Sequence, residues 1–160
     1  HFAAAMPWLV WQTSDLPENH EGICAWIGSA GLPNVRMPID YAAGSTLSIK
    51  ARFDAVFSAN TAHIMSVGEA GSMFADVSRL LNPGGKFCLY GPFNESGRFT
   101  SESNATFDAS LRARNSSMGI RDRVELNRMA CGNGMVVCRR YAMPANNQLL
   151  VWQEPAHDIE

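Results

Sequence analysis

An amphipathic segment between two apolar runs constrains the fold of this chain more than any other feature. Apolar residues recur at three- and four-residue steps from Val67 to Leu81, which is the spacing of one face of an α-helix. The runs on either side, at residues 53–59 and 86–90, are short and apolar, and the first is apolar enough to be buried on both faces. A strand, a helix and a strand in succession predict parallel pairing through a right-handed crossover.

The same alternation is visible earlier in the chain. Residues 8–13 and 35–39 are short apolar runs that each lead to an acidic residue, and they predict two further strands. Between them, Pro17 suits the first turn of a helix, and Gly31 is a typical residue at the end of one. On this helix the apolar residues, Trp26 among them, fall on one face.

The C-terminal third continues the pattern and ends it with a reversal. Helices are predicted from about Ser103 and from Asp122. Two closing strands, at residues 135–143 and 149–153, are joined by a short link and must therefore run antiparallel. We expect one α/β domain over residues 1–160, with a mostly parallel sheet and an antiparallel C-terminal strand.

The composition argues against two classes of partner. Apolar residues make up 46% of the chain and charged residues 18%, as is ordinary for a globular protein, and the net charge is −2. Without a basic field, we expect no nucleic-acid partner. No apolar run reaches the roughly 18 residues of a membrane span, so we expect no membrane partner.

The cysteines show no pattern of metal ligands. They form no CxxC motif and no cluster, so we predict no metal. The simplest interpretation is reduced, mostly buried thiols in a cytoplasmic protein. The four are Cys24, Cys88, Cys131 and Cys138.

Polar side chains stand at the ends of four successive predicted strands. In an open α/β sheet, ligands bind beyond the carboxyl ends of the strands, so these side chains should converge on one crevice. The residues are Asp15, Asp40, Asn60, Thr61 and His63, followed by Tyr90, Gly91, Pro92, Phe93 and Asn94.

Each of the two acids has two possible roles. Asp15 offers two carboxylate oxygens, which suit a pair of ribose hydroxyls, but an aspartate at this point also suits a helix N-cap. Asp40 either contacts an adenine amino group or caps the following turn.

His63 is a candidate general base near neutral pH, and the alternative is a positioned polar residue at the start of a loop. Asn60 either orients a ligand or has only a local role. Tyr90 is a second candidate for removing a proton, unless it is a buried tyrosine at a structural turn. Gly91 permits close approach of the backbone to a ligand, and Pro92 stiffens the turn.

The polar stretch after these strands has two interpretations. Asn104 and Arg112 fit a lid that holds substrate. Asp108 and Arg112, however, are four residues apart and share a helix face, so they also fit a simple ion pair.

Four long strings resemble one known family. ANTAHIMS, LNPGGKFCLYGPFNESGRFTSESNATFDASLR, MGIRD and MPANNQLL resemble the domain-of-unknown-function 938 family, whose animal relatives are called methyltransferase-like protein 26. The resemblance covers essentially the whole chain. It implies a Rossmann-like class I methyltransferase fold that binds S-adenosylmethionine.

The resemblance also assigns positions. Asp15 matches the acid after the family's second strand, Asp40 matches the adenine-side acid, and residues 60–63 match the segment after the fourth strand. Members carry a first strand and a glycine-containing loop before the segment that matches the first residues of this chain. We therefore expect an N-terminally incomplete methyltransferase-like domain with weakened cofactor binding.

Three functions follow as hypotheses. The first is an S-adenosylmethionine-dependent methyltransferase for an unknown small-molecule or protein acceptor, which would enter over residues 90–94 and the loop after them. The second is a non-catalytic binding protein on the same fold. The third is a nicotinamide-dependent oxidoreductase, which the antiparallel C-terminal strands disfavour.

Overall fold

The computed structural model describes residues 1–46 and 48–156. The chain divides into two compact units, His1–Leu47 and Ser48–Glu160, which are taken in turn.

The first unit holds two parallel strands. Its elements are α1 (Phe2–Ala5), β1 (Trp11–Asp15), a 3₁₀ turn (Pro17–Asn19), α2 (His20–Ala30) and β2 (Val35–Asp40). β1 pairs with β2 in parallel, and Asp15 lies opposite Asp40. α2 ends where Gly31 adopts a left-handed conformation, as the sequence predicts.

One strand boundary of this unit differs from prediction, and one helix face is exposed. The first strand begins at Trp11 rather than residue 8, because Pro7 lies in a turn that Leu9 N–H closes by donating to Met6 O at 3.1 Å. The apolar face of α2 is not buried, and Trp26 is 78% exposed. A two-stranded sheet has too little apolar surface to cover a helix face.

The second unit contains a four-stranded sheet. Its elements are β3 (Phe53–Ala59), α3 (Val67–Leu80), β4 (Leu81–Gly91), α4 (Glu102–Arg114), α5 (Arg123–Gly132), β5 (Val136–Met143) and β6 (Asn147–Gln153). The strand order is β3-β4-β6-β5. β3 and β4 are parallel, and β6 runs antiparallel to both β4 and β5. The mixed α/β fold and its reversed C-terminal strand are therefore confirmed.

β4 begins earlier than the apolar run at residues 86–90 predicts. Residues 82–85 lie inside the strand, at a shift in its register against β3. Gly85 is held tightly there, since a Cβ on it would lie 2.8 Å from Asn82 O and 3.2 Å from Asp54 O. The bulge accommodates residues 82–85 without ending the strand.

β3 is not buried on both faces, so that prediction is wrong. It forms one edge of the four-stranded sheet, and Phe57 is 41% exposed. The prediction that the thiols are mostly buried is also wrong, because Cys131 and Cys138 are exposed, while all four cysteines are free.

Three aromatic rings form the centre of the core. The ring of Phe74 on α3 lies 5.2 Å from that of Phe87 on β4 and 5.0 Å from that of Trp152 on β6. Trp152 Nε1 donates to Asn127 Oδ1 at 3.0 Å, which attaches α5 to the same sheet. A capping box between Ser66 and Glu69 fixes the start of α3.

Two further findings concern the described ranges alone. No helix within residues 1–46 or 48–156 is long and apolar enough to cross a membrane. No group of three histidine, cysteine or acidic side chains comes together there in a way that would hold a metal ion.

Replacing Phe74 with alanine should destabilise the protein strongly. Because its ring is fully buried between two aromatic partners, we expect Phe74→Ala to lower the free energy of unfolding by about 3–5 kcal/mol. Phe99→Ala is the matched control, since Phe99 is 45% exposed and its loss should cost less than about 1 kcal/mol. Urea unfolding followed by circular dichroism measures both, and equal losses would contradict this account of the core.

Candidate functional site

The two acids of the first unit lie side by side at the ends of β1 and β2. Asp15 Oδ1 accepts from Leu16 N–H at 2.7 Å and from Asn19 Nδ2 at 2.8 Å. The side chain of Asp40 is 72% exposed and lies 3.6 Å from His20 Nδ1. Asp15 therefore has one oxygen in a local turn, while its Oδ2 has no hydrogen bond to any described residue.

The ends of β3 and β4 meet in the second unit. Asn60 N–H donates to Tyr90 O at 2.8 Å, directly after the last paired residues of the two strands. Asn60 adopts φ +59°, a left-handed conformation that asparagine tolerates better than most residues. The hydroxyls of Thr61 and Ser58 lie 2.6 Å apart and stabilise this turn.

His63 is buried beside this turn. Its ring packs edge-on against Phe107 of α4, with 5.1 Å between the ring centroids. A Cβ on Gly91 would lie 4.0 Å from His63 Nδ1 and 3.8 Å from Asn60 Oδ1. The imidazole and the amide thus approach the backbone of Gly91 from neighbouring positions, at the distance of ordinary van der Waals contact with an added Cβ.

Arg121 holds the backbone on both sides of His63. Its buried guanidinium donates to Ala62 O at 3.2 Å, to Met65 O and to Ser117 O at 2.7 Å. Gly119 N–H also donates to His63 O at 2.9 Å. The histidine is therefore positioned by main-chain contacts to a segment that follows α4.

The surroundings of His63 favour its uncharged form. Burial lowers the pKa of His63 below its ordinary value of about 6.5, and the positive charge of Arg121 lowers it further. At neutral pH the ring can accept a proton, as a general base must.

A cavity of about 510 Å³ opens beside these residues, within the range of about 300–1,000 Å³ that is typical of ligand sites. Its walls come from the ends of β3 and β4, from the first turns of α4 and from the link between β5 and β6. The lining residues are Asn60, His63, Pro92, Ser103, Asn104, Phe107, Ala145 and Asn147.

The link between β5 and β6 is a tight turn. Ala145 and Asn146 adopt φ +57° and +58°, and Asn147 N–H donates to Pro144 O at 3.3 Å, as in a type I′ turn. Asn147 Nδ2 also donates to the hydroxyl of Tyr90 at 3.1 Å. Tyr90 therefore lies behind the lining and holds one of its residues.

The residues after Pro92 are fixed by backbone contacts. Phe93 is buried, and its carbonyl accepts from Gln148 Nε2 at 3.3 Å. Asn94 N–H donates to Arg121 O and Arg123 N–H donates to Asn94 O, both at 2.9 Å. These residues form the base of the site rather than its wall.

Arg112 forms the ion pair that the sequence left as one of two interpretations. Its Nε lies 2.7 Å from Asp108 Oδ2, and Asp108 Oδ1 accepts from Ile120 N–H at 2.7 Å. Arg112 is not among the residues that line the cavity. Gly119 packs against this pair, with φ +146°.

Four of the predicted site residues line one cavity, namely Asn60, His63, Pro92 and Asn104. Thr61, Tyr90, Gly91, Phe93 and Asn94 lie around it without lining it. Sequence reasoning placed Ser103 only at the end of the substrate-entry loop, residues 95–103, and did not select Phe107, Ala145 and Asn147 for the site. One signal was available: β6 is antiparallel, so its first residue should lie at the carboxyl end of a neighbouring parallel strand. The convergence of Asp15 and Asp40 with this cavity stays a prediction.

Gly119→Ala should loosen the segment that holds His63. An added Cβ would lie 2.5 Å from Arg112 Nη2 and 2.8 Å from Asp108 Oδ1, so the ion pair must move. We expect a loss of about 2 kcal/mol or more in the free energy of unfolding, because the backbone strain at a positive φ adds to the loss of the ion pair. Gly97→Ala is the control, because Gly97 also has a positive φ, +77°, but nothing within 4 Å of an added Cβ. Equal losses in thermal and urea unfolding would refute the crowding argument.

His63 should titrate below pH 6.5. Because its folded-state pKa is lowered, the stability that the uncharged ring contributes is complete above the unfolded value of about 6.5 and is lost as the pH falls through the folded value. NMR titration of the imidazole Cε1–H gives the pKa, with His63→Gln to assign the signal. The melting temperature should fall more steeply from pH 7 to pH 5 in the unchanged protein than in His63→Gln. A midpoint at or above 6.5 would exclude the proposed effect of burial.

Solved structures with the same fold are methyltransferases. One is an O-methyltransferase family protein from Burkholderia thailandensis, with a TM-score of 0.86 and 17% identity over 98% of this chain and 47% of that one. Another is the S-adenosylmethionine-dependent methyltransferase SibL, with a TM-score of 0.78 and 22% identity over 96% of this chain and 46% of that one. A third is PigF with SAH, with a TM-score of 0.78 and 14% identity over 95% of this chain and 45% of that one. The chain spans less than half the length of each of these structures, and the likeness shows the fold.

The family is given by a match over nearly the whole chain. Residues 1–154 match the family described as "Protein of unknown function (DUF938)". The resemblance of its strings and the methyltransferase-type α/β fold agree with that match. The chain belongs to the DUF938 family.

Proposed function

We propose that the protein is an S-adenosylmethionine-dependent methyltransferase that acts, as one domain, on a small-molecule or protein acceptor. The observation that carries this is a buried imidazole, His63, on a cavity at the carboxyl ends of parallel strands. The fold shared with known methyltransferases supports it.

The cofactor would be held at the tips of the strands. When bound, it supplies a methyl group on a positively charged sulfur, and transfer requires alignment with the acceptor. Asp15 fits the ribose, because its Oδ2 has no partner in the described part of the chain and a carboxylate accepts from hydroxyls. Asp40 would contact the adenine end, and Asn60 and Thr61 would contact the cofactor from the tip of β3.

His63 would take the proton from the nucleophile of the acceptor. Its ring is uncharged at neutral pH for the reasons given above, and Arg121 fixes the loop that carries it. Tyr90 is the second candidate for removing this proton, since its hydroxyl lies beside the cavity, where it accepts a hydrogen bond from Asn147 Nδ2.

The acceptor would bind over the end of β4. Pro92 and Asn104 would contact it directly, since both line the cavity. Gly91 would leave room for it, and Phe93, Asn94 and Arg112 would shape the site through the segments that they hold.

S-Adenosylhomocysteine should stabilise the protein through Asp15. We expect Asp15→Asn to weaken binding about tenfold or more, because a charged hydrogen-bond acceptor is lost. Glu18→Gln, in the neighbouring turn, is the control and should bind as the unchanged protein does. Thermal shift and calorimetry measure binding, with NAD as the competing nucleotide. Stabilisation by NAD but not by S-adenosylhomocysteine would refute the methyltransferase proposal.

Replacing the base, His63, should reduce methyl transfer without weakening cofactor binding. His63→Gln should keep its affinity for S-adenosylhomocysteine and lose about 10²–10⁴-fold in methyl transfer. Transfer is measured with labelled S-adenosylmethionine and fractionated cell extract as the source of acceptor. If the protein binds the cofactor but transfers no methyl group to any fraction, the non-catalytic binding hypothesis replaces this one.

A further inference from the structure

Two polar side chains in the lining of the cavity are more than nine-tenths buried. They are His63, which is 7% exposed, and Asn104, which is 5% exposed, whereas Asn60 and Ser103 are exposed and Asn147 is half-buried. His63 already has a proposed role as the base. Asn104 lies in the first turn of α4, and its surroundings decide which chemical group it can bind.

The side-chain amide of Asn104 has a fixed orientation. Its Nδ2 donates to Thr100 Oγ1 at 3.0 Å and to the backbone carbonyl of Asn146 at 3.3 Å. A carbonyl oxygen can only accept, so turning the amide round would place two acceptors against each other. Both N–H bonds are therefore used, and Oδ1 is the polar atom that Asn104 leaves for an occupant.

This oxygen has no donor within the described ranges. Oδ1 accepts from no residue there, yet it is not among the polar atoms that are enclosed without a partner. Because so little of Asn104 is exposed and the residue lines the cavity, the accessible oxygen opens on the cavity. An occupant that displaces water from Oδ1 must supply an O–H or N–H group, since an unpaired buried acceptor is costly.

The more exposed polar groups of the lining are adaptable. The amide of Asn60 makes no side-chain hydrogen bond with any residue that the structure describes, so it can present either its N–H groups or its oxygen. The hydroxyl of Ser103 can both donate and accept. These groups bind donors and acceptors alike, and they can also bind a carboxylate. Selection for a hydrogen-bond donor therefore falls on Asn104.

Phe107 places Asn104 one helix turn from the proposed base. Asn104 and Phe107 are three residues apart on α4 and share one face, with about 5–6 Å between their Cβ atoms. The ring of Phe107 lies edge-on to that of His63, with 5.1 Å between the centroids. All three residues line the cavity. An occupant about the size of one aromatic ring, lying against Phe107, would therefore reach the amide oxygen at one end and the imidazole at the other.

We propose that Asn104 is a specificity-determining residue, whose Oδ1 accepts a hydrogen bond from a second hydroxyl or N–H group of the methyl acceptor while His63 faces the group that is methylated. The proposal rests on the proposed methyltransferase function for the identity of the occupant. The requirement for a donor belongs to the cavity alone.

A matched pair of probes tests this requirement. 4-(Hydroxymethyl)phenol and 4-(methoxymethyl)phenol are both uncharged at pH 7.5, and the second lacks the donor that Oδ1 requires. Ligand-observed NMR titration of the whole protein, with and without S-adenosylhomocysteine, should show the first probe binding about three- to tenfold more tightly. This ratio is the net effect of one hydrogen bond that replaces a bond to water.

A substitution should assign the preference to Asn104. Asn104→Leu keeps the approximate size of the side chain and removes the acceptor, so the ratio of the two affinities should fall to about one. Thr100→Val is the matched control, because Thr100 does not line the cavity and the carbonyl of Asn146 still orients the amide. It should keep the ratio.

A second measurement needs no variant, since Asn104→Leu also loses two structural hydrogen bonds. In ¹⁵N-correlated NMR spectra of the unchanged protein, the side-chain amide signal of Asn104 should shift on addition of 4-(hydroxymethyl)phenol and shift much less with 4-(methoxymethyl)phenol.

The outcomes separate this proposal from the proposed function. A ratio near one in the unchanged protein, binding of neither probe, an unchanged ratio in folded Asn104→Leu, loss of the ratio in Thr100→Val, or equal responses of the Asn104 amide to both probes would each overturn it. Failure of S-adenosylhomocysteine to bind, with the ratio intact, would overturn the methyltransferase function and leave the donor requirement standing.

Discussion

The register of β4 between its two neighbours determines where the walls that come from the sheet lie. Parallel pairing with β3 puts Asn60 against Tyr90, and antiparallel pairing with β6 puts Gln148 against Gly91. The end of one strand, the end of the next and the start of the third therefore meet at one edge. Since one residue of slip would turn each side chain to the other face of the sheet, the aromatic core that fixes this register also fixes the site.

The second dependence is electrostatic. A buried guanidinium without a carboxylate is unusual, and here Arg121 is satisfied by carbonyl oxygens on both sides of one histidine. The same contacts therefore do two things. They fix the loop that carries His63, and they place a positive charge where it disfavours protonation of the ring. Arg121 therefore fixes the position of His63 and adds to the effect of burial on its charge state, although Arg121 itself does not line the cavity.

Much of this arrangement could be predicted from the sequence, and the failures have clear physical reasons. Because parallel strands end at one edge, the neighbouring positions of Asp15 and Asp40, and of Asn60 and Tyr90, followed from the strand pattern. Asn147 was missed because its place depends on β6 pairing with β4, which strand periodicity does not specify. The sequence gives no indication of the role of Arg121, because hydrogen bonds to backbone carbonyls leave no trace in composition or spacing. For Trp26, helical periodicity identified a face but not what would cover it.

The turn between β5 and β6 forms part of the cavity wall, although it is only a short exposed connection. Two of its residues hold left-handed conformations, so its shape depends on residues that accept a positive φ, while a few residues further on Trp152 is buried in the interior. Part of the cavity wall and part of the packed core therefore come from separate stretches of one hairpin. Changes in this connection should therefore reshape the cavity wall while the packed interior keeps its residues.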